Sequence, residues 1–89
     1  MTPQELCEHL ESMDTYRVAR VLEDGSVAAL GDLLFTTAIY LGCDEVGWSK
    51  RYCYDDDFIA TVEFQKLTSA SDRPRGWIAM RPHERMMPR

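Results

Sequence analysis

The stretch 35-FTTAIYLGCDEVGWSKRYCY-54 decides the fold. Two runs rich in β-branched and aromatic residues flank a short acidic segment that contains Gly42 and Gly47. That is the pattern of an antiparallel hairpin. Working backwards, Leu33 to Leu41 alternates two nearly apolar faces: Leu33, Phe35, Thr37, Ile39 and Leu41 against Leu34, Thr36, Ala38 and Tyr40. A strand apolar on both faces is a central one, covered on both sides. Trp48 to Tyr54 is its partner, with Trp48, Lys50, Tyr52 and Tyr54 on one face and Ser49, Arg51 and Cys53 on the other.

The flanks follow from the same rules. Thr2-Pro3-Gln4-Glu5 opens a helix, because Thr2 can cap, Pro3 suits the first turn and Glu5 completes a capping box. Leu6, Leu10 and Met13 then share one face, with Glu5, Glu8 and Glu11 towards solvent. Thr15 to Leu22 reads as a strand carrying Tyr16, Val18 and Leu22 on one side and Arg17, Ala19 and Val21 on the other. Asp24-Gly25 is a strong reversal signal, and the returning strand from Ser26 to Leu30 sets Val27 opposite Leu22 and Ala28 opposite Val21. Gly31-Asp32 reads as a bulge or bend.

After the hairpin, Asp55, Asp56 and Asp57 precede an apolar segment, as a helix N-terminus prefers. The sequence predicts a helix over 56–68 with Phe58, Ile59, Val62 and Leu67 inward, although Phe58, Ala60, Val62 and Phe64 also alternate as a strand would. Residues 68–75 are a polar loop, and Gly76 to Arg81, bracketed by Pro74 and Pro82, is an edge strand. The expected fold is one α+β domain over residues 1–82, an antiparallel sheet of four to five strands with two helices in the order α-β-β-β-β-α-β. A flexible basic tail follows at 83–89.

Composition narrows the function. Eighty-nine residues with 45% apolar and 28% charged side chains suit a single globular domain. The net charge of −5 is unevenly spread. Residues 1–72 hold 14 acids against 5 bases, whereas residues 73–89 hold 5 arginines against one glutamate. An acidic body disfavours direct contact with nucleic acid, whose affinity depends on clustered Lys and Arg, and suits a partner with a basic surface. Cys7, Cys43 and Cys53 form no CxxC pair, and with no apolar leader in the sequence the expected setting is a reducing cytoplasm with free thiols. No apolar run approaches the ~20 residues of a membrane-spanning helix.

Candidate chemistry is sparse. Three consecutive aspartates point in diverging directions and lack the register of a calcium loop, so helix capping is the better reading of Asp55, Asp56 and Asp57. Cys7 and His9 make half of a zinc pattern with no second pair at a usable spacing. Of the two histidines, His9 falls on the solvent side of a helix and His83 in the tail, which argues against a nucleophile and base arrangement. The sequence therefore predicts a non-enzyme without metal or cofactor. Its partner-binding candidates are Asp24, Asp32, Asp44, Glu45, Trp48, Asp55, Asp56 and Asp57, a set of carboxylates around an aromatic anchor.

Residues 15–80 also resemble a family of small uncharacterised proteins carried by phages and prophages of proteobacteria. The likeness rests on Tyr16-Arg17-Val18, Asp24-Gly25-Ser26-Val27, Phe35-Thr36-Thr37-Ala38-Ile39, Gly47-Trp48, Arg51-Tyr52-Cys53-Tyr54 and Gly76-Trp77-Ile78. Small acidic phage proteins of this kind resemble inhibitors of host defence, notably anti-CRISPR proteins. The resemblance implies a host protein or ribonucleoprotein complex as partner, with the acidic surface blocking its basic nucleic-acid groove. A homodimeric phage accessory protein is the alternative expectation.

Overall fold

The computed structural model describes residues 1–81 and 84–85. Five antiparallel strands form the main sheet: β1 (Tyr16–Val21), β2 (Val27–Asp32), β3 (Thr37–Leu41), β5 (Lys50–Tyr54) and β6 (Ala79–Arg81), in that spatial order. Helix α1 (Pro3–Glu11) packs on one face over β1 and β2, and α2 (Asp57–Gln65) packs on the other over β2, β3 and β5. A two-residue strand, β4 (Gly47–Trp48), pairs with β7 (Glu84–Arg85) in a small second ladder. The α+β class and the two helices are as the sequence implies. The proposed tail over 83–89 lies outside the described residues apart from that Glu84–Arg85 pairing.

Local chemistry explains the ends of the elements. The Thr2 hydroxyl accepts from Glu5 N at 3.1 Å while the Glu5 carboxylate accepts from Thr2 N at 2.8 Å, a complete capping box. Asp56 caps α2 by accepting from Ile59 N at 3.0 Å. The β1–β2 turn needs a left-handed residue, which Gly25 supplies at φ +86°.

The hairpin at the centre of the chain pairs Thr37 with Tyr54, Ile39 with Tyr52 and Leu41 with Lys50. Its residues are covered on both sides, so the core has two layers. On the α1 side Leu6, Cys7 and Leu10 meet Ala19, Ala29, Tyr40 and Trp48. On the α2 side Ala60, Phe64 and Leu67 meet Leu30, Ile39, Leu41 and Tyr54. Edge-to-face contacts run from Tyr16 to Tyr40 at 5.0 Å and from Tyr40 to Trp48 at 5.6 Å.

Several expectations need correction. The strand expected from Leu33 begins at Thr37, because the chain reverses at Leu34 and Phe35, closed by Leu33 N donating to Thr36 O at 2.8 Å. The β1–β2 register is shifted by one, with Val21 opposite Val27 and Arg20 opposite Ala28. The bulge lies in β1, between Tyr16 and Val18, and turns Tyr16 onto the face of Ala19. Gly31 stays in β2, where a Cβ would come 2.4 Å from Thr15 O, and this close approach requires glycine.

The strand expected over 48–54 breaks at Ser49, so Trp48 joins the α1 layer while Lys50, Tyr52 and Tyr54 keep the α2 side. Met13 lies beyond α1 and is exposed, its expected inward place being taken by Cys7. In α2 the buried residues are Ala60 and Phe64, whereas Phe58 and Ile59 face solvent. Phe58 and Ile59 are thus misplaced by the expectation while Val62 is half-buried and Leu67 buried as expected, because the buried stripe runs Ala60, Phe64, Leu67 at helical spacing.

Candidate functional site

Antiparallel connectivity sorts the loops into two ends. The β1–β2 and β3–β4 loops share one end, here the upper, where Cys43 N donates to Val27 O at 3.0 Å. The β2–β3 turn, the start of β1 and the start of α2 share the lower end, joined through Arg17. The predicted acidic set is therefore not one patch. Asp24, Asp44, Glu45 and Trp48 fall at the upper end, and Asp32, Asp55, Asp56 and Asp57 at the lower.

At the upper end the carboxylates serve the fold. Asp24 accepts from Ser26 N at 2.9 Å and from Ala70 N at 3.0 Å, tying the β1–β2 turn to the segment after α2. The Ser26 hydroxyl and these N–H groups hold its pKa well below the usual carboxylate range. Asp44 accepts from Val46 N and Gly47 N, both at 2.9 Å, and shapes its own loop. Glu45 is exposed. Trp48 is only 5% exposed, packed against Tyr40 with the Arg51 guanidinium 5.2 Å from its ring centre, and is thus a core residue. A shallow cavity of about 370 Å³ lies between the start of α1 and these loops, lined by Pro3, Leu6, Val27, Asp44 and Val46 among others.

The lower end is built differently. Arg17 bridges Asp32 and Asp57, reaching Asp57 Oδ1 at 2.8 Å, and the Thr37 hydroxyl donates to the same oxygen at 3.1 Å. Arg17 and then Thr37 lower the Asp57 pKa, and the two carboxylates raise that of Arg17. This bridge fixes the N-terminus of α2 against the β2–β3 turn. Out of the turn stand Leu34 and Phe35, 86% and 87% exposed, and beside Asp57 stands Phe58, 75% exposed. Asp55 and Asp56, just before α2, are exposed.

Three exposed apolar side chains beside carboxylates thus occupy the lower end of the molecule. Exposed apolar side chains within a polar rim are a common feature of protein contact surfaces. Among the described residues no group of three His, Cys, Asp or Glu side chains is arranged to hold a metal ion, and His9 is exposed on α1. Cys7, Cys43 and Cys53 are buried and form no disulfide, and burial pushes the Cys7 thiol up in pKa. Among the described residues no helix is long and apolar enough to cross a membrane.

Sequence reasoning missed Leu34, Phe35 and Phe58. Helical spacing from Ala60 through Phe64 to Leu67 does carry a signal for Phe58, since it puts that residue off the buried stripe. For Leu34 and Phe35 there is no comparable signal, because the turn has no glycine, proline or asparagine within it. No protein family, curated protein or solved structure matches the chain.

Proposed function

We propose that the chain is a non-enzymatic, phage-type inhibitor that binds a host defence effector and blocks a basic nucleic-acid groove. The lower end is its contact surface. Leu34 and Phe35 seat in an apolar recess of the partner, Phe58 widens the contact, and Asp55 meets the lysines and arginines around it. Apolar anchors supply most of the affinity in such contacts, and charge supplies orientation and association rate.

The observation that carries this reading is the near-complete exposure of Leu34 and Phe35 at the tip of a hairpin whose base is held by an ion-pair bridge. Two large apolar side chains on a pinned turn offer contact area at low ordering cost. The acidic rim separates this surface from one adapted to anionic lipid, which it would repel.

The test is to incubate the purified protein with CRISPR surveillance complexes and measure target-DNA binding. Stoichiometric loss of DNA binding is expected, and the double variant Leu34→Ser/Phe35→Ser should restore it. Unchanged DNA binding across complex subtypes would remove the inhibitor reading. Light scattering distinguishes the homodimeric alternative: a dimer at tens of micromolar that the double variant converts to monomer would assign the same surface to self-association.

A further inference from the structure

A second cavity lies on the α2 side of the sheet, remote in function from the lower end. It has a volume of about 450 Å³ and is lined by Lys50, Tyr52, Arg73, Trp77 and Met80. That volume falls in the range of small-molecule sites, about 300–1,000 Å³.

Its construction follows from the strand pairing. Tyr52 and Met80 are directly opposed across β5 and β6, and Lys50 lies two residues before Tyr52 on the same face. Trp77 stands beside Tyr52 with ring centres 5.6 Å apart and planes at 54°, leaving it 42% exposed. The segment carrying Arg73 and Trp77 is anchored on both sides of the tryptophan. Arg75 N donates to Glu63 Oε1 at 2.9 Å, Ile78 N donates to Cys53 O at 2.8 Å, and Pro74 is buried. The aromatic wall is held in place before any ligand arrives.

The two cations at this cavity differ from four others in the fold. Arg17 is committed to Asp32 and Asp57, Arg20 to the carbonyls of Phe64 and Leu67, Arg51 to Trp48, and Lys66 to Glu63. The side chains of Lys50 and Arg73 make no hydrogen bond or ion pair with a described residue. The carboxylates nearest Arg73 in sequence are engaged, Asp72 by Thr68 N and Ser69 N, and Glu63 by Arg75 N and Lys66.

We propose that this cavity binds a mononucleotide, with the base against the exposed face of Trp77, which Tyr52 backs from the core, and the phosphate between Lys50 and Arg73. Indole faces stack on any planar base, and a guanidinium with an ammonium matches a phosphate dianion. A free mononucleotide fits better than a longer single strand, whose further phosphates would meet an acidic body. The site is independent of the contact proposed for Leu34 and Phe35.

Tryptophan fluorescence reads this directly, because Trp77 is accessible and Trp48 is buried. Adenosine monophosphate should quench saturably, inorganic phosphate alone should not, and adenosine should bind at least about tenfold more weakly. Lys50→Met and Arg73→Met should each weaken binding about tenfold, and Trp77→Ala by about tenfold or more. Trp77→Phe should lose the quench yet retain binding by calorimetry, which separates loss of the reporter from loss of the site. No saturable response at 10 mM (roughly the weakest useful affinity), adenosine binding as well as its phosphate, or quenching that survives in Trp77→Phe would each overturn the proposal. A thymidine oligonucleotide binding more tightly than the mononucleotide would overturn the choice of ligand.

Discussion

The two ends of the sheet carry similar numbers of carboxylates, held by backbone N–H groups at one end and mainly by a guanidinium at the other, and they differ most in where their large apolar side chains lie. At the upper end Asp24 and Asp44 are bound by N–H groups of neighbouring turns, and the large aromatic there, Trp48, is in the core. At the lower end Arg17 gathers Asp32 and Asp57 into a bridge, and the apolar residues beside it stand in solvent. A charge count treats all seven predicted carboxylates alike. The hydrogen-bond partners separate those that hold the chain together from those left to meet something else.

The strongest test of that division is at Trp48 against Leu34 and Phe35. Trp48→Ala should cost about 3–5 kcal/mol in denaturant unfolding, as loss of a buried indole does. If the cost is under about 1 kcal/mol, the upper end is not the structural one. Gly31→Ala should cost about 1–3 kcal/mol, since the added methyl meets Thr15 O and only a backbone shift relieves it. Next in size is a comparison between neighbours: Asp56→Ala removes the α2 cap and should cost about 1 kcal/mol, whereas Asp55→Ala should stay within about 0.5 kcal/mol. Equal losses at both positions would blur the distinction between fold-serving and free carboxylates. The Leu34→Ser/Phe35→Ser double variant should change stability least, within about 0.5 kcal/mol, and should raise solubility while abolishing partner binding.

Titration sharpens the same contrast. Asp24 is depressed by Ser26 and Ala70, and Asp57 by Arg17 and Thr37. A carboxylate with a lowered folded pKa contributes stability above its unfolded value, about 3.9, and that contribution fades as pH falls through the folded value. Acid unfolding should therefore begin below about pH 4, and Asp24→Asn should flatten the acid limb. On the alkaline side, burial pushes Tyr16 up to about 12. Its contribution is complete below the unfolded value near 10 and is lost as pH rises towards 12. Tyr16→Phe should postpone alkaline unfolding, as followed by circular dichroism.

Legibility of this fold in its sequence tracked how local each signal was. Thr2 with Glu5, Asp24 with Gly25, and Asp56 before an apolar run each act within four residues, and all three are where the sequence puts them. The central hairpin was readable because both its strands are buried on two faces. The β2–β3 turn was not, since Leu33, Leu34 and Phe35 continue the alternation of a strand and only the pairing of Asp32 with Thr37 across the turn reveals the reversal. The fate of Trp48 depended on a break at Ser49, and the inward face of α2 on which sheet residues it meets. Of the candidate site, the lower carboxylates were visible and their apolar companions were not.

All three cysteines lie on the α1 side of the sheet: Cys7 in the helix, Cys43 in the loop above and Cys53 in β5. The α2 layer has none. Alkylation by a thiol reagent thus samples one half of the protein at three separate heights, and its rate at each thiol measures how often that half opens. Oxidative damage would accordingly loosen α1 first and leave the layer beneath α2 standing.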